Sequence, residues 1–284
     1  VTKLHVHYLV TQHSTKIKAK YGVKYKKELF DFWQQLQGYF RDCKDPIPTE
    51  LVKFAFENLA KKDGINEADF LYSESSWQVL ANYYLTYCDE SSFIDFFWSY
   101  RNLYKPLFKI AEIARSLPDV KLIHTISTGY AGILGAGASV IHNTPFLLTE
   151  HGIYTKERKI DLIQASWIKE SEQSLGKNLN TEMGFIRRMW ISFFEQIGRT
   201  TYHQADKIIS LYEGNRQRQI KDGACESKAS VVPNGIKTKR FVDALNARPK
   251  SVPMVVGLIG RVVPIKDIKT FIRAIKEVQA ELPD

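Results

Sequence analysis

The chain is poor in several features that would assign it quickly. Its 284 residues include only three cysteines, Cys43, Cys88 and Cys225, all far apart. An odd count without metal-ligand or redox spacing argues against a disulfide framework and against a cysteine-based metal site. Long apolar runs are missing too. Pro145–Leu148 and Met254–Ile259 stop far short of the ~20 residues that a membrane-spanning helix needs. The opening Val1-Thr2-Lys3-Leu4 lacks an initiator Met and the apolar core of a signal peptide, which reads as a cytoplasmic chain whose beginning lies upstream. Acidic residues are the minority, 31 against 40 basic, for a formal charge of +9. That excess suits an anionic partner such as a nucleotide diphosphate or a membrane surface, and equally a basic solvated face. No nucleic-acid recognition motif accompanies it, so no nucleic-acid partner is expected.

What is present is a globular composition, 44% hydrophobic and 12% aromatic, long enough for one large domain or two ordinary ones. Leu4, Val6 and Tyr8 alternate with His5 and His7, as in a short strand. With His13 these histidines lack neighbouring carboxylates or cysteines, which favours strand-face histidines over a metal site. Residues 25–115 read as mostly helical. Leu29, Phe32, Trp33, Leu36 and Phe40 recur at helical spacing, as do Leu103, Leu107, Ile110 and Ile113. Pro46 and Pro48 precede a further helix over about 49–61.

From residue 119 the texture changes to strand–loop–helix units. Strands are expected at Val120–Ser127, Pro145–Leu148, Lys207–Leu211 and Ser230–Pro233. Between them lie helical stripes at Ile160, Ile163 and Trp167 and at Phe185, Met189, Trp190, Phe193 and Ile197, and a helix ending near Gly223. Apolar strands separated by helices predict a parallel sheet covered on both faces. Residues 236–252 form a polar stretch that reads as a linker. Beyond it, Met254–Ile259 is expected as a strand, followed by a loop, Asp267 as N-cap and a helix carrying Ile268, Phe271, Ile272, Ile275 and Val278. The organisation is therefore a first domain over 1–235 with its start missing, the linker, and the beginning of a second domain over 253–284.

Three places hold candidate chemistry. In the loop Gly260–Lys266, Arg261 and Lys266 set two cations before a helix N-terminus, and Gly260 permits a close backbone approach. That combination suits a diphosphate, although ordinary loop charges explain it equally. The loop has neither the Gly-Lys-Ser/Thr ending of a Walker motif nor the glycine pattern of a dinucleotide fingerprint. The second place is Gly129-Tyr130, which opens a small-residue stretch through Gly132, Gly135 and Gly137. It permits close approach of a ligand or merely tight packing, with Tyr130 a candidate to stack on a sugar or to pack. The third is Thr149-Glu150-His151-Gly152 at a strand's carboxyl end, where Glu150 is placed to orient His151. Glu157 and Arg158 follow, facing the cleft or forming a surface ion pair. No serine elbow is present, so hydrolase triad chemistry is unsupported.

The segments HTISTGYAGILGA (124–136), TEHGIYTKERKIDLI (149–163), ADKIISLYEGNRQRQIKDGA (205–224), VVPNGI (231–236) and GLIGRVVPIKDIKTFIRA (257–274) resemble the cytosolic glycosyltransferases of Pel-type exopolysaccharide synthesis. These lie within the retaining family 4 transferases of the GT-B fold. The resemblance is firm over about 119–284 and loose before it. It implies an α/β fold of GT-B type: a Rossmann-like parallel-sheet domain with a helical insertion, then the first strand and helix of a second Rossmann-like domain. It implies sugar transfer from a nucleotide-sugar, a UDP-hexose or UDP-N-acetylhexosamine, to a glycan acceptor, with no cofactor and no metal. Arg261, Lys266 and Gly260 would bind the donor diphosphate, and His151 would sit beside the transferred sugar. Gly129, Tyr130, Glu150 and Arg158 would line the acceptor side. Inner-membrane polysaccharide synthase subunits are the implied partners. The family's glycine-rich N-terminal loop is expected before Val1 and its pair of donor-domain glutamates after Asp284, so these residues alone are expected to be inactive. Two other readings stay open: a nucleotide-sugar epimerase on the same fold, and a catalytically idle subunit that recruits synthase partners through residues 25–115.

Overall fold

The computed structural model describes residues 4–7, 9, 27–42, 44–61, 63–88, 91–168, 183–251, 255–263 and 266–282. Tyr8, His13, Cys43, Met254, Pro264 and Ile265 therefore lie outside the described residues. Two compact units divide the chain between Asn234 and Gly235.

The first unit begins with helices. The order is α1 (Lys27–Asp42), α2 (Thr49–Asn58), α3 (Glu67–Tyr72), α4 (Glu74–Tyr87) and α5 (Phe93–Ser116). Their apolar stripes face inward: Trp33, Leu36, Phe40, Leu103 and Ile110 are all buried. The core is rich in aromatic contacts, with Trp33 edge-on to Tyr104 at 5.3 Å and Phe40 tilted against Phe193 at 4.8 Å. Such pairs add to what area burial alone supplies. The capping chemistry is local. Asn66 and Asp69 form a reciprocal box that starts α3, and the Ser73 hydroxyl accepts from the Ser76 N–H at the start of α4. Residues 4–7, expected in a strand, form no strand with any described residue, and Leu4 and Val6 are exposed. Alternation creates a strand only where a partner strand supplies hydrogen bonds.

The α/β part follows as β1 (Ile123–Thr125), α6 (Gly129–His142), β2 (Phe146–Glu150), α7 (Tyr154–Gln164), α8 (Phe185–Gln204), β3 (Lys207–Ser210), α9 (Glu213–Lys221) and β4 (Ala229–Val231). All pairings are parallel and the order is β1-β2-β3-β4. Register places Ile123 beside Phe146, Leu148 beside Ile208 and Ser210 beside Val231. The order never reverses, so right-handed crossovers carry the connecting helices to one face. Burial follows: Phe146, Leu148 and Glu150 are buried, while Leu147 and Thr149 between them are only half-buried. One face of β2 is thus buried more deeply than the other.

Helix α8 is the spine of this unit. Phe193 and Ile197 are fully buried, as the stripe predicts. Helix α7 is the exception. Its Ile160 and Ile163 are exposed, as is Trp167 beyond its end, and Thr155 and Leu162 turn inward instead. The period is correct but the face is not, because Thr155 is the residue that meets α8 at Gly198.

The second unit has no buried residue among those described. The stretch read as a linker holds a 3-10 turn, Thr238–Phe241, and a short helix α10 (Val242–Asn246). Residues 255–259 form no strand, and Val255, Val256 and Ile259 are exposed. A strand is made by its neighbours, and no second strand lies among the described residues of this unit. Helix α11 (Ile268–Glu281) forms as expected, with the Asp267 carboxylate accepting from the Thr270 N–H at 3.4 Å.

Candidate functional site

The carboxyl ends of parallel strands are where open α/β sheets place ligands, because helix N-termini and loops converge there. Two loops meet at that edge of β1 and β2. The first is the turn into α6. Gly129 has φ +67°, a left-handed conformation, and a Cβ built on it would lie 2.4 Å from the Tyr154 ring. Both facts demand glycine there. Close approach is real, but the group that approaches is Tyr154, the first residue of α7.

Tyr130 does not face the edge. Its ring packs against Phe194 at 5.5 Å and its hydroxyl donates to the Leu103 carbonyl at 3.4 Å. Burial pushes its phenol pKa up. Of its two sequence readings, packing is the one realised, because the residue after Gly129 turns toward α5 and α8. The glycines further along α6 also serve packing: a Cβ on Gly135 would lie 2.6 Å from the Phe146 ring.

The second loop carries His151. Its imidazole is exposed, and its backbone carbonyl accepts from the Asn215 side-chain amide at 3.2 Å. Asn215 is buried in the first turn of α9, so the turn after β3 pins the turn after β2. Glu150 does not orient this imidazole. It is fully buried and points the other way, because β2 alternates its faces. One carboxylate oxygen accepts from the Thr128 hydroxyl at 3.1 Å. The other accepts from the Tyr202 hydroxyl at 2.7 Å and from the Gln219 amide at 3.0 Å. Desolvation raises the Glu150 pKa, and these donors pull it partly back. The same burial, beside the carboxylate, raises the Tyr202 phenol well above its ordinary value. The network ties the ends of β1 and β2 to α8 and α9.

Arg158 turns away from Glu157, and no ion pair joins them. Its guanidinium lies over the Phe194 ring at 5.0 Å, and its Nε is buried without a partner. Thr128, Tyr202, Asn215 and Gln219 were not singled out from the sequence. Three of them stand within quoted motif segments, but a lone hydroxyl or amide carries no signal until the fold supplies its partner.

In the second unit, Gly260, Arg261 and Lys266 are all exposed. The Val263 N–H donates to the Arg261 carbonyl at 3.0 Å, and the Lys266 N–H donates to the Val263 carbonyl at 3.0 Å. Lys266 stands two residues before α11 in the chain. A Cβ on Gly260 would meet nothing closer than the Lys266 side chain at 3.9 Å, so packing does not require this glycine. No group of three or more His, Cys, Asp or Glu among the described residues could hold a metal. No described helix is long and apolar enough to cross a membrane.

A four-stranded parallel sheet, helices crossing between its strands and a histidine presented at the carboxyl edge define a Rossmann-like α/β protein, compatible with one half of a GT-B architecture. The chain belongs to the family described as "Domain of unknown function (DUF3492)", whose profile matches residues 1–227. No curated protein matches it.

Proposed function

We propose that the protein is a retaining glycosyltransferase of the PelF type. It transfers a hexose or N-acetylhexosamine from a UDP-sugar to a growing exopolysaccharide. The observation that carries this reading is the exposed His151 at the carboxyl end of β2, held by Asn215 beside the positive-φ turn at Gly129. Five motif segments in family order add to it. In this reading His151 hydrogen-bonds the transferred sugar. Arg261 and Lys266 neutralise the departing diphosphate, aided by N–H groups of the first turn of α11 that the Asp267 cap leaves free. Fixed cations and dipoles then take the place that a metal ion holds in other transferases, and no cofactor is required.

The test is turnover of a panel of UDP-sugars by the full-length protein, reading donor consumption and glycan product. His151→Ala, Arg261→Ala and Lys266→Ala should each lower kcat/KM by about 100-fold or more with the fold intact. Donor conversion without use of acceptor would identify an epimerase instead.

One observation favours a second reading. Trp77, Ile94 and Trp98 are exposed on α4 and α5, an apolar surface suited to a partner-recruiting subunit of an inner-membrane synthase. Absence of both turnover and nucleotide binding, with synthase association lost in Trp98→Ala, would replace the transferase by that role.

A further inference from the structure

We propose that unit 1 carries a separate site for a phosphate-bearing ligand, in a basic cleft bounded by the end of α1, the first turns of α7, the middle of α8 and the end of α9. The cleft has a volume of about 650 Å³ and contains neither His151 nor any residue of the Gly260–Lys266 loop; of the Glu150 network only Tyr202 lines it. That volume lies within the range of nucleotide-sized ligand sites. Seven basic and four acidic side chains line it. Three of the acids are already neutralised: Asp42 by Arg41, Glu195 by Lys159 at 2.9 Å and Asp222 by Arg218 at 2.8 Å. Lys44, Lys156 and Lys221 are exposed and have no carboxylate partner among the described residues. Of the four cations that remain, Arg199 donates to the Gln196 side-chain oxygen at 2.6 Å. Lys44, Lys156 and Lys221 set three exposed ammonium groups around one concavity, with Asp45 the one lining acid that has no cation partner among the described residues.

Two further features point to an anion rather than to a solvated surface. Helix α7, which is 11 residues long, begins at this cleft without a side-chain cap. Its first-turn N–H groups and dipole thus remain available to an oxyanion. Thr155, in that first turn, lines the cleft and is 7% exposed. Its hydroxyl oxygen is buried and has no hydrogen-bond partner. A Cβ built on Gly198 would lie 2.4 Å from its methyl group, so the methyl is fixed against α8 and the hydroxyl is the group left to satisfy. Leaving a buried hydroxyl unsatisfied is destabilising, and a ligand oxygen would offset that cost. Ammonium point charges, N–H groups and a hydroxyl match the several oxygens of a tetrahedral phosphate.

The probe is pyrophosphate, titrated calorimetrically into the full chain. Saturable binding is expected, weakened roughly tenfold or more in Lys156→Glu/Lys221→Glu and also weakened in Lys44→Ala, with unchanged circular dichroism. Thr155→Val should bind several-fold more weakly yet melt no lower than the parent, a combination that loss of structure does not produce. Binding should persist in Arg261→Ala/Lys266→Ala, which separates this site from the proposed donor loop. Co-sedimentation with phosphatidylglycerol vesicles, lost in the same cleft variants, would assign the phosphate to a lipid headgroup. Binding of soluble anions alone would assign it to a free ligand. No saturable binding of either, or binding unaffected by the cleft variants, overturns the proposal.

Discussion

At the scale of single residues, two glycines show how differently one residue type is used. Gly129 sits at φ +67° with the Tyr154 ring in the space a Cβ would fill. Gly129→Ala should therefore cost about 1–3 kcal/mol, read as a lower urea midpoint. Gly260 has open space around it and no left-handed backbone among the described residues. Gly260→Ala should leave stability within about 0.5 kcal/mol, so any loss of diphosphate binding in that variant would report the ligand and not the fold. Sequence alone marks both as glycines in loops before helices. The left-handed backbone and the neighbouring Tyr154 ring, both seen only in the fold, separate the structural glycine from the one free to serve a ligand.

At the scale of elements, Glu150 joins two strand ends to two helices, and its pKa has a consequence for stability. Its folded pKa is raised, first by desolvation. The native state therefore holds this proton to higher pH than the unfolded chain does. Its contribution is fullest below the ordinary glutamate pKa of about 4.3 and is lost as pH rises through the raised value. The difference in unfolding free energy between the parent and Glu150→Gln should accordingly shift against the parent across that window. A flat difference would show that the pKa is not raised. Glu150→Ala would leave the Tyr202 hydroxyl, the Thr128 hydroxyl and the Gln219 amide without their acceptor. A loss of at least about 3 kcal/mol is expected, measured at neutral pH.

The helices and strands themselves were largely legible. The stripes of α1, α5 and α8 bury as their spacing predicts, since a 3.6-residue period turns the same side chains to one face. The four short strands between residues 119 and 235 also form where apolar runs end in turn residues. The face of α7 was not legible. Thr155 turns inward and two isoleucines outward because contact with Gly198 decides the rotation of a helix whose own pattern is weak.

For the whole molecule, stability resides in the first unit. Every buried residue of the described chain lies before Gly235, most of them in one aromatic-rich core. A protein ending at Asn234 should fold by itself and melt within ~2 °C of the full chain, as checked by calorimetry. A much lower melting temperature would mean that residues 235–284 contribute burial that their exposure does not indicate.

The sequence by itself determined what depends on near neighbours along the chain. This covers the α/β class, the helical stretch before residue 119, the parallel strands, the cap at Asp267 and the residues presented in loops at strand ends. Periodicity, caps and turns act over a few residues, and those distances are written in order. The tertiary structure decided what depends on partners far apart in sequence. Glu150 faces inward to Tyr202 and Gln219, 52 and 69 residues away, and not toward the adjacent His151. Tyr130 packs on α8, and Val255–Ile259 forms no strand with any described residue. The basic cleft likewise gathers lysines from α7, from α9 and from the turn after α1. Each of these outcomes is set by which surface arrives opposite a side chain once the core has closed, and no local pattern carries that information.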